Sequence, residues 1–565
     1  MLLRNSYELR QVHLVCEGQR QSSWWERGVI YQIYPRSFQD SDADGVGDLA
    51  GIESRLDYLA ELGIDAIWLS PIYPSPMTDF GYDIADYCGI DPLFGDLAGF
   101  DRLLAAIHAR GLRLLLDFVP NHSSDQHPWF VESRSSRTNP KRDWYIWRDP
   151  APDGGPPNNW ISDFGGSSWQ WDETTGQYYL HAFLQSQPDL NWREPDVREA
   201  MMGVLRFWLD RGVDGFRIDV LWHIIKAEGL PDNPLNSHWT PDRTQRDRLI
   251  QLHSTDQPEA HAISAEFRAL ADRYGNRVLV GEICLPNDRL ARWYGTPERP
   301  QVHLPLNFQL IENAWDADSL RQMIAAYEVS LPPFGWPNWV IGSHDAARIA
   351  ARVGEPQARV AAMLLLTLRG TPTLYQGDEL GIGEVQIAPD QVRDPQDLRQ
   401  PGLGIGRDRS RTPIPWDASA NAGFSTVDPW LPLNEDWPSR NVAAQDRSPG
   451  SLLSLYRSLL ALRRSHDALA IGDITLIDAG EGVLAYQRQH AGESLLIALN
   501  LGGETRPLTL PTETCVQEVL ASTLWPSTLS PSALPPSTGA FRSMDGTLAP
   551  DEGLVLRLKG TLKCA

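Results

Sequence analysis

The sequence predicts an α/β fold: a (β/α)8 TIM barrel with a subdomain inserted after the third strand and a C-terminal antiparallel β-sandwich domain. Three observations predict it. Short runs rich in Val, Ile and Leu recur, separated by helix-like stretches, which is the rhythm of a parallel sheet covered on its outer face. Eight such runs can be counted, the number that closes a barrel. Past residue 472 the helices stop and strand-like alternation takes over.

In chain order the strand candidates are 29–38, 65–70, 113–119, 215–220, 277–284, 304–310, 338–344 and 371–376. Helical stretches such as 101–110, 196–211 and 356–368 lie between them. About 95 residues separate the third and fourth runs, far more than a βα connection needs. The segment 121–191, rich in Trp, Pro, Gly and Asp, is therefore read as an inserted domain, and 24–120 with 192–471 as the barrel. A second irregular stretch, about 384–447, follows the eighth run, and a helix near 451–464 ends the barrel. The tail 472–565 reads as the β domain, with strands at 483–488 and 494–500 and a Ser/Pro loop at 522–537. Residues 1–23 are polar and mixed in charge, without the apolar core of a secretory leader, and read as an N-terminal extension.

The composition is that of a globular protein: 42% hydrophobic and 22% charged residues among 565. Acidic residues outnumber basic ones 73 to 50, for a net charge of -23. Nucleic acid and anionic membrane both demand basic surface, so neither is expected as a partner. A small neutral substrate is expected instead, with a cytoplasmic monomer or homodimer. The five cysteines (Cys16, Cys88, Cys284, Cys515, Cys564) are scattered, without a CxxC pair, and read as reduced thiols. The 21 tryptophans serve core packing or, for a few, platforms for sugar faces.

In such a barrel the reacting groups sit at the C-terminal ends of the strands. There the third run ends in Asp117-Phe-Val-Pro-Asn121-His122, and the fourth reads Gly215-Phe-Arg217-Ile-Asp219-Val220. The fifth ends in Gly281-Glu282 and the seventh in Gly342-Ser-His344-Asp345. Singly, each has a plain reading: a helix cap, a loop pair, an ion pair on one strand face. Together, in order, they bring three carboxylates to one mouth.

These four blocks resemble the four signature regions of the α-amylase family of glycoside hydrolases, over nearly the whole chain after residue 24. The strings Gly28-Val-Ile-Tyr-Gln-Ile-Tyr-Pro-Arg-Ser-Phe, Gln187-Pro-Asp-Leu-Asn191 and Thr371-Pro-Thr-Leu-Tyr-Gln-Gly-Asp-Glu resemble the α-glucosidase and oligo-1,6-glucosidase branch. Ser343 departs from the Asn that many relatives carry there. The resemblance implies Asp219 as nucleophile, Glu282 as acid/base and Asp345 as the third carboxylate gripping the sugar. Retention would need the first two carboxyl groups about 5–5.5 Å apart. Arg217 is expected to keep Asp219 ionised, while Glu282 has to hold a proton. His122 and His344 are implied as donors to the sugar, Tyr82 as its aromatic platform, and Asp117 as ordering the loop around His122. Asp79 and Arg411 resemble the pair that closes the pocket around the terminal glucose, with Arg407 a weaker candidate and a surface salt bridge the plain alternative.

The run Asp40-Ser-Asp42-Ala-Asp44-Gly-Val46-Gly-Asp48 alternates acidic residues around a glycine turn, which suits a hard cation bound by oxygens. In the branch resembled, this loop holds structural Ca2+ or Mg2+. Asp40, Asp42, Asp44, Asp48 and the Val46 carbonyl are the implied ligands, with an empty acidic turn as the alternative. No organic cofactor is expected.

The reading is a retaining, exo-acting α-glucosidase on maltose and short α-glucosides, with transglucosylation as the same chemistry on another acceptor. Val220, next to the nucleophile, resembles α-1,6-cleaving members, yet Leu221-Trp222-His223 does not, and one side chain shifts preference by only about 1–3 kcal/mol. An oligo-1,6-glucosidase, a sucrose or maltose isomerase, a trehalose-acting relative, and remotely an inactive binding or transporter-partner subunit, are the rivals.

Overall fold

A computed structural model describes residues 22–510, 514–524 and 546–560. The N-terminal extension, but for its last two residues, lies outside the described residues, as do Cys16, Cys564 and most of the Ser/Pro stretch. The chain opens with β1 (Ile30–Ile33), β2 (Ala66–Leu69) and β3 (Arg113–Phe118). A small antiparallel sheet follows: β4 (Trp147–Arg148), β5 (Trp169–Asp172) and β6 (Gln177–Leu180). Then come β7 (Gly215–Ile218), β8 (Val278–Glu282), β9 (Leu304–Leu306), β10 (Asn338–Val340) and β11 (Thr371–Tyr375). The eight long-range strands form one parallel sheet in the order β10-β11-β1-β2-β3-β7-β8-β9. A single bridge, Asn307 to Trp339, joins its two edges, so the barrel is nearly closed.

Each strand sits inside a run read from the sequence, and the runs overshoot at their C-terminal ends. The run at 29–38 stops being a strand at Ile33 because Pro35–Ser37 turns as a 3-10 helix. The overshoot is functional: Val220 and Ile341 continue the apolar pattern past the strand ends, where the chain enters the mouth. Alternate residues divide between two cores. Ile30, Ala66, Trp68, Leu115, Val278, Val280, Leu304 and Val340 pack with one another inside the barrel, over Trp25. Ile33, Ile67, Leu114, Leu116 and Phe216 belong to the larger core shared with the helices. The helix Pro195–Asp210 shows why those helices dock: Val197, Met201, Val204, Leu205 and Trp208 fall on one buried face. The helix Ile349–Thr367 is broken at Gly354 (φ 78°, ψ 161°), two residues ahead of Pro356.

After the helix Leu452–Ser465 come β12 (Asp473–Asp478), β13 (Val483–His490), β14 (Glu493–Asn500), β15 (Arg506–Pro507), β16 (Val516–Ser522), β17 (Thr547–Leu548) and β18 (Gly553–Leu558). They make a five-stranded antiparallel sheet, β12-β13-β14-β18-β16, and a two-stranded ribbon, β15-β17. One face of the sheet (Leu484, Tyr486, Leu495, Ile497, Leu499) joins the core of the barrel helices. The other (Val483, Ala485, Leu496, Ala498, Leu556) packs on Leu508 and Leu548, which supply the second layer of the sandwich. No helix among the described residues is long and apolar enough to cross a membrane.

Candidate active site

The strand ends deliver their side chains to one buried cluster. Arg217 on β7 is its centre: Nη1 donates to Asp117 Oδ1 (2.8 Å) and Asp219 Oδ1 (2.6 Å), and Nη2 donates to Glu282 Oε2 (2.6 Å). Asp219 and Glu282 are thus held on neighbouring nitrogens of one planar fork, geometry that lysine cannot supply. Glu282 Oε2 also accepts the Val220 N–H at 2.9 Å. That N–H is aimed by a left-handed backbone (φ 35°, ψ 45°), a strained conformation for a β-branched residue. Two donors therefore occupy Oε2, and Oε1 is the oxygen left for a proton.

The pull of Arg217 on Asp219 is present as expected, but it is shared. One guanidinium serves three carboxylates. Burial pushes the Asp219 carboxyl well above its usual range; Arg217 opposes this, and Glu282, Asp117 and Asp345 add to it. Burial likewise raises Asp117 to about 6 against the pull of Arg217. The three acids thus compete for the one positive charge among them. Asp117 does not order the His122 loop: its Oδ2 accepts from Trp68 Nε1 and the Tyr82 hydroxyl, both at 3.1 Å.

The Tyr82 and His344 rings stack parallel within 2°, with the hydroxyl 2.7 Å from Nε2. Gln32 on β1, which the sequence reading did not single out, contacts His344 Nδ1 at 2.7 Å. Burial lowers the His344 imidazole to about 3, so the ring is neutral. Ser343 Oγ accepts the Asp345 N–H at 3.2 Å, the turn contact an Asn would otherwise make. Gly342 ahead of it leaves no room for a side chain, since a Cβ would stand 2.6 Å from Asp378 Oδ2.

Arg407, rather than the expected Arg411, is the arginine that contacts Asp79. Arg407 contacts Asp79 Oδ1 (2.8 Å), Asp345 Oδ1 (3.2 Å) and Asp394 Oδ1 (2.7 Å). Arg411 instead binds Asp345 Oδ1 (2.9 Å) and the His344 carbonyl (2.9 Å). Both arginines are nearly buried, which removes the surface-salt-bridge alternative. The charges of Arg407 and Arg411 hold the Asp345 carboxylate below the ordinary range. Its carboxylate is 38% accessible, so the mouth opens over it. Asp79 also accepts from Gln187 Nε2 (3.2 Å), and the same amide nitrogen lies 3.2 Å from His122 Nε2. His122 is ordered by Asn121 Nδ2 (3.2 Å), which Lys226 and Asp189 hold from behind. Burial keeps this imidazole neutral, at about 4. Asp394 and Gln187 carried no sequence signal beyond, for Gln187, its place in a quoted motif.

In the acidic turn, Asp40, Asp42 and Asp48 each offer a carboxylate oxygen within 4.8 Å of the others. Asp44 stands outside that trio and accepts the Val46 N–H at 2.7 Å. Burial and the like charges of Asp44, Asp48 and Asp40 raise Asp42 above its usual range. Three hard oxygens under mutual repulsion fit a divalent cation.

The chain matches the α-amylase catalytic domain model over residues 32–472. A probable α-glucosidase of Rhizobium meliloti is 42% identical over 86% of this chain and 91% of its own length. An oligo-1,6-glucosidase of Heyndrickxia coagulans is 39% identical, covering 87% and 94%. Among solved structures, an α-glucosyl transfer enzyme, XgtA, superposes with TM-score 0.88 at 40% identity, covering 95% of this chain and all of that one. The trehalulose synthase MutB of Pseudomonas mesoacidophila gives 0.85 at 36%, covering 96% and 100%.

Proposed function

The chain belongs to the α-amylase family of glycoside hydrolases, and from that premise we propose that it is a retaining, exo-acting α-glucosidase releasing α-glucose from maltose and short α-glucosides. The observation that carries this is the pairing of Asp219 and Glu282 on one guanidinium, with Arg407 bridging Asp79 and Asp345 in the same cluster. Two carboxyl groups on one guanidinium support the short spacing of a retaining enzyme, in which one attacks while the other protonates the leaving group. Asp219 attacks the anomeric carbon, and Glu282 gives its proton to the glycosidic oxygen from Oε1. Water then enters, gives its proton back to Glu282 and releases the sugar with its configuration retained. The Arg407 bridge supports a pocket that admits one terminal glucose.

A second acceptor in place of water gives transfer or isomerisation. The solved relatives named for glucosyl transfer and trehalulose synthesis favour keeping that reading, and the oligo-1,6-glucosidase relatives keep the α-1,6 linkage open. Purified protein is incubated separately with maltose, isomaltose, sucrose and trehalose, with Asp219→Asn as control. Glucose from maltose, first appearing as the α-anomer, with an inert control is expected. Faster cutting of isomaltose reassigns the linkage, rearranged disaccharide without glucose makes the protein an isomerase, and four intact sugars sink the enzyme reading.

The proposal includes structural Ca2+ or Mg2+ held by Asp40, Asp42 and Asp48, with Asp44 and the Val46 carbonyl completing the shell. The cation would neutralise the turn, with no part in bond breaking. A cation at 100 times its Kd stabilises the fold by about 2.7 kcal/mol. EDTA is therefore expected to lower the melting temperature and leave kcat at 25 °C unchanged. A melting curve indifferent to EDTA, from protein shown to carry no metal, removes the cation. The free Cys88, Cys284 and Cys515 support a reducing, cytoplasmic compartment.

A further inference from the structure

We propose that Gln32 is a positioning residue that fixes the proton of His344 on Nε2. The ring has two nitrogens and, being buried and neutral, one proton. Nδ1 meets Gln32 Nε2 at 2.7 Å. The same amide nitrogen donates its other hydrogen to Ser70 Oγ at 3.2 Å. Nε2 meets two oxygens: the Tyr82 hydroxyl at 2.7 Å and Asp345 Oδ2 at 3.1 Å.

Asp345 accepts only, so a bare Nε2 would leave two lone pairs facing each other at 3.1 Å. Turning the amide over produces that state. The Gln32 oxygen would then draw the proton to Nδ1. Tyr82 would have to spend its own proton on Nε2, and its contact with Asp117 Oδ2 would lose its hydrogen too. The arrangement as it stands leaves one unpartnered atom, Gln32 Oε1. The inverted one leaves two acceptor–acceptor contacts beside a carboxylate. The polarity of the chain follows: Gln32 donates to His344, His344 donates to Tyr82 with Asp345 beside it, and Tyr82 donates to Asp117 Oδ2, whose other oxygen is held by Arg217.

Gln32 thereby reaches the catalytic cluster from β1 without touching substrate. An imidazole held as the Nε2–H tautomer offers a donor beside Asp345, where the wrong tautomer would offer a lone pair. The proton's place stands on this geometry alone; its effect on rate rests on the α-glucosidase reading.

Neutron diffraction from perdeuterated wild-type crystals is expected to show deuterium on His344 Nε2 and none on Nδ1. Deuterium on Nδ1 overturns the proposal whatever the protein cuts. Gln32→Glu keeps the shape and replaces the donor by an acceptor. Its kcat on maltose is expected to fall about 10- to 100-fold, by analogy with the loss when partners that orient metal-ligating histidines are removed, with KM moved much less and deuterium now found on Nδ1. A kcat equal to wild type in a variant whose proton has moved overturns the positioning role. If no sugar is turned over by the wild type, the α-glucosidase reading fails while the neutron map still decides the proton.

Discussion

A guanidinium carries one positive charge, and at Arg217 and again at Arg407 that charge is divided among three carboxylates. Planar forks make this feasible; a point charge on a flexible stem does not. Arg407→Lys is expected to keep one of the three contacts. Hydrogen bonds to charged groups are worth about 1.5–3 kcal/mol, so KM for maltose should rise at least tenfold while kcat changes less. An unchanged KM would return the role to Arg411. At this scale the sequence was informative where a residue ends a strand. Asp219, Glu282 and Asp345 were legible because the βα rhythm fixes which residues reach the mouth. The choice between Arg407 and Arg411 was not, because both lie in the irregular stretch 384–447, where no period says which way a side chain faces. Gln32 left a trace that could have been used. It shares a strand face with Ile30, and an amide in a buried apolar run is uncommon without a partner.

At the scale of elements, the inserted segment is held by polar detail more than by its short sheet. His127 caps the helix Pro128–Ser135, its Nδ1 accepting the Trp129 N–H at 3.1 Å. Only a neutral ring can do this, and burial lowers the group to about 4. Below about pH 6.5 the unfolded chain binds a proton here that the folded chain refuses until about pH 4. The contribution is therefore complete above pH 6.5 and lost as pH falls through that window, by up to about 3 kcal/mol. His127→Asn keeps a capping oxygen without the titration. Its urea midpoint is expected to lie below wild type at pH 7.5 and to fall less between pH 7.5 and pH 5. Equal falls in both proteins would show that His127 is not the group responsible. The position of every barrel strand was legible at this scale. Their exact ends were not, because residues entering an active site stay apolar after they leave the sheet.

The whole molecule is joined where the barrel meets the C-terminal sheet. Arg463, 1% exposed, donates to the carbonyls of Leu366, Leu368, Gly370, Leu469 and Ala470. Arg488 on β13 reaches the Thr367 and Gly472 carbonyls. Burial lowers Arg463 only to about 10, so it stays charged at neutral pH. In the sequence Arg463 reads as an ordinary last-turn helix cation; nothing local says that five carbonyls converge on it. Arg463→Lys would strand several of them in a dry interior, at about 1–3 kcal/mol each. The denaturation midpoint is expected to drop by the equivalent of about 3 kcal/mol or more, with kcat intact in the fraction that stays folded. A midpoint within error of wild type would mean that these carbonyls are satisfied without the Arg463 fork.

The single bridge between Asn307 and Trp339 has a consequence for what the gene can tolerate. The backbone bond there, Asn307 N–H to the Asn338 carbonyl, spans 3.4 Å, whereas β1 and β2 pair over four residues. A ring has no natural beginning, and this one is fastened least firmly at that line. Relocated termini or a grafted domain between β9 and β10 would sever less of the ring than a cut anywhere else. The line also runs up to the accessible carboxylate of Asp345, so a novelty inserted there would arrive at the doorway through which sugars pass.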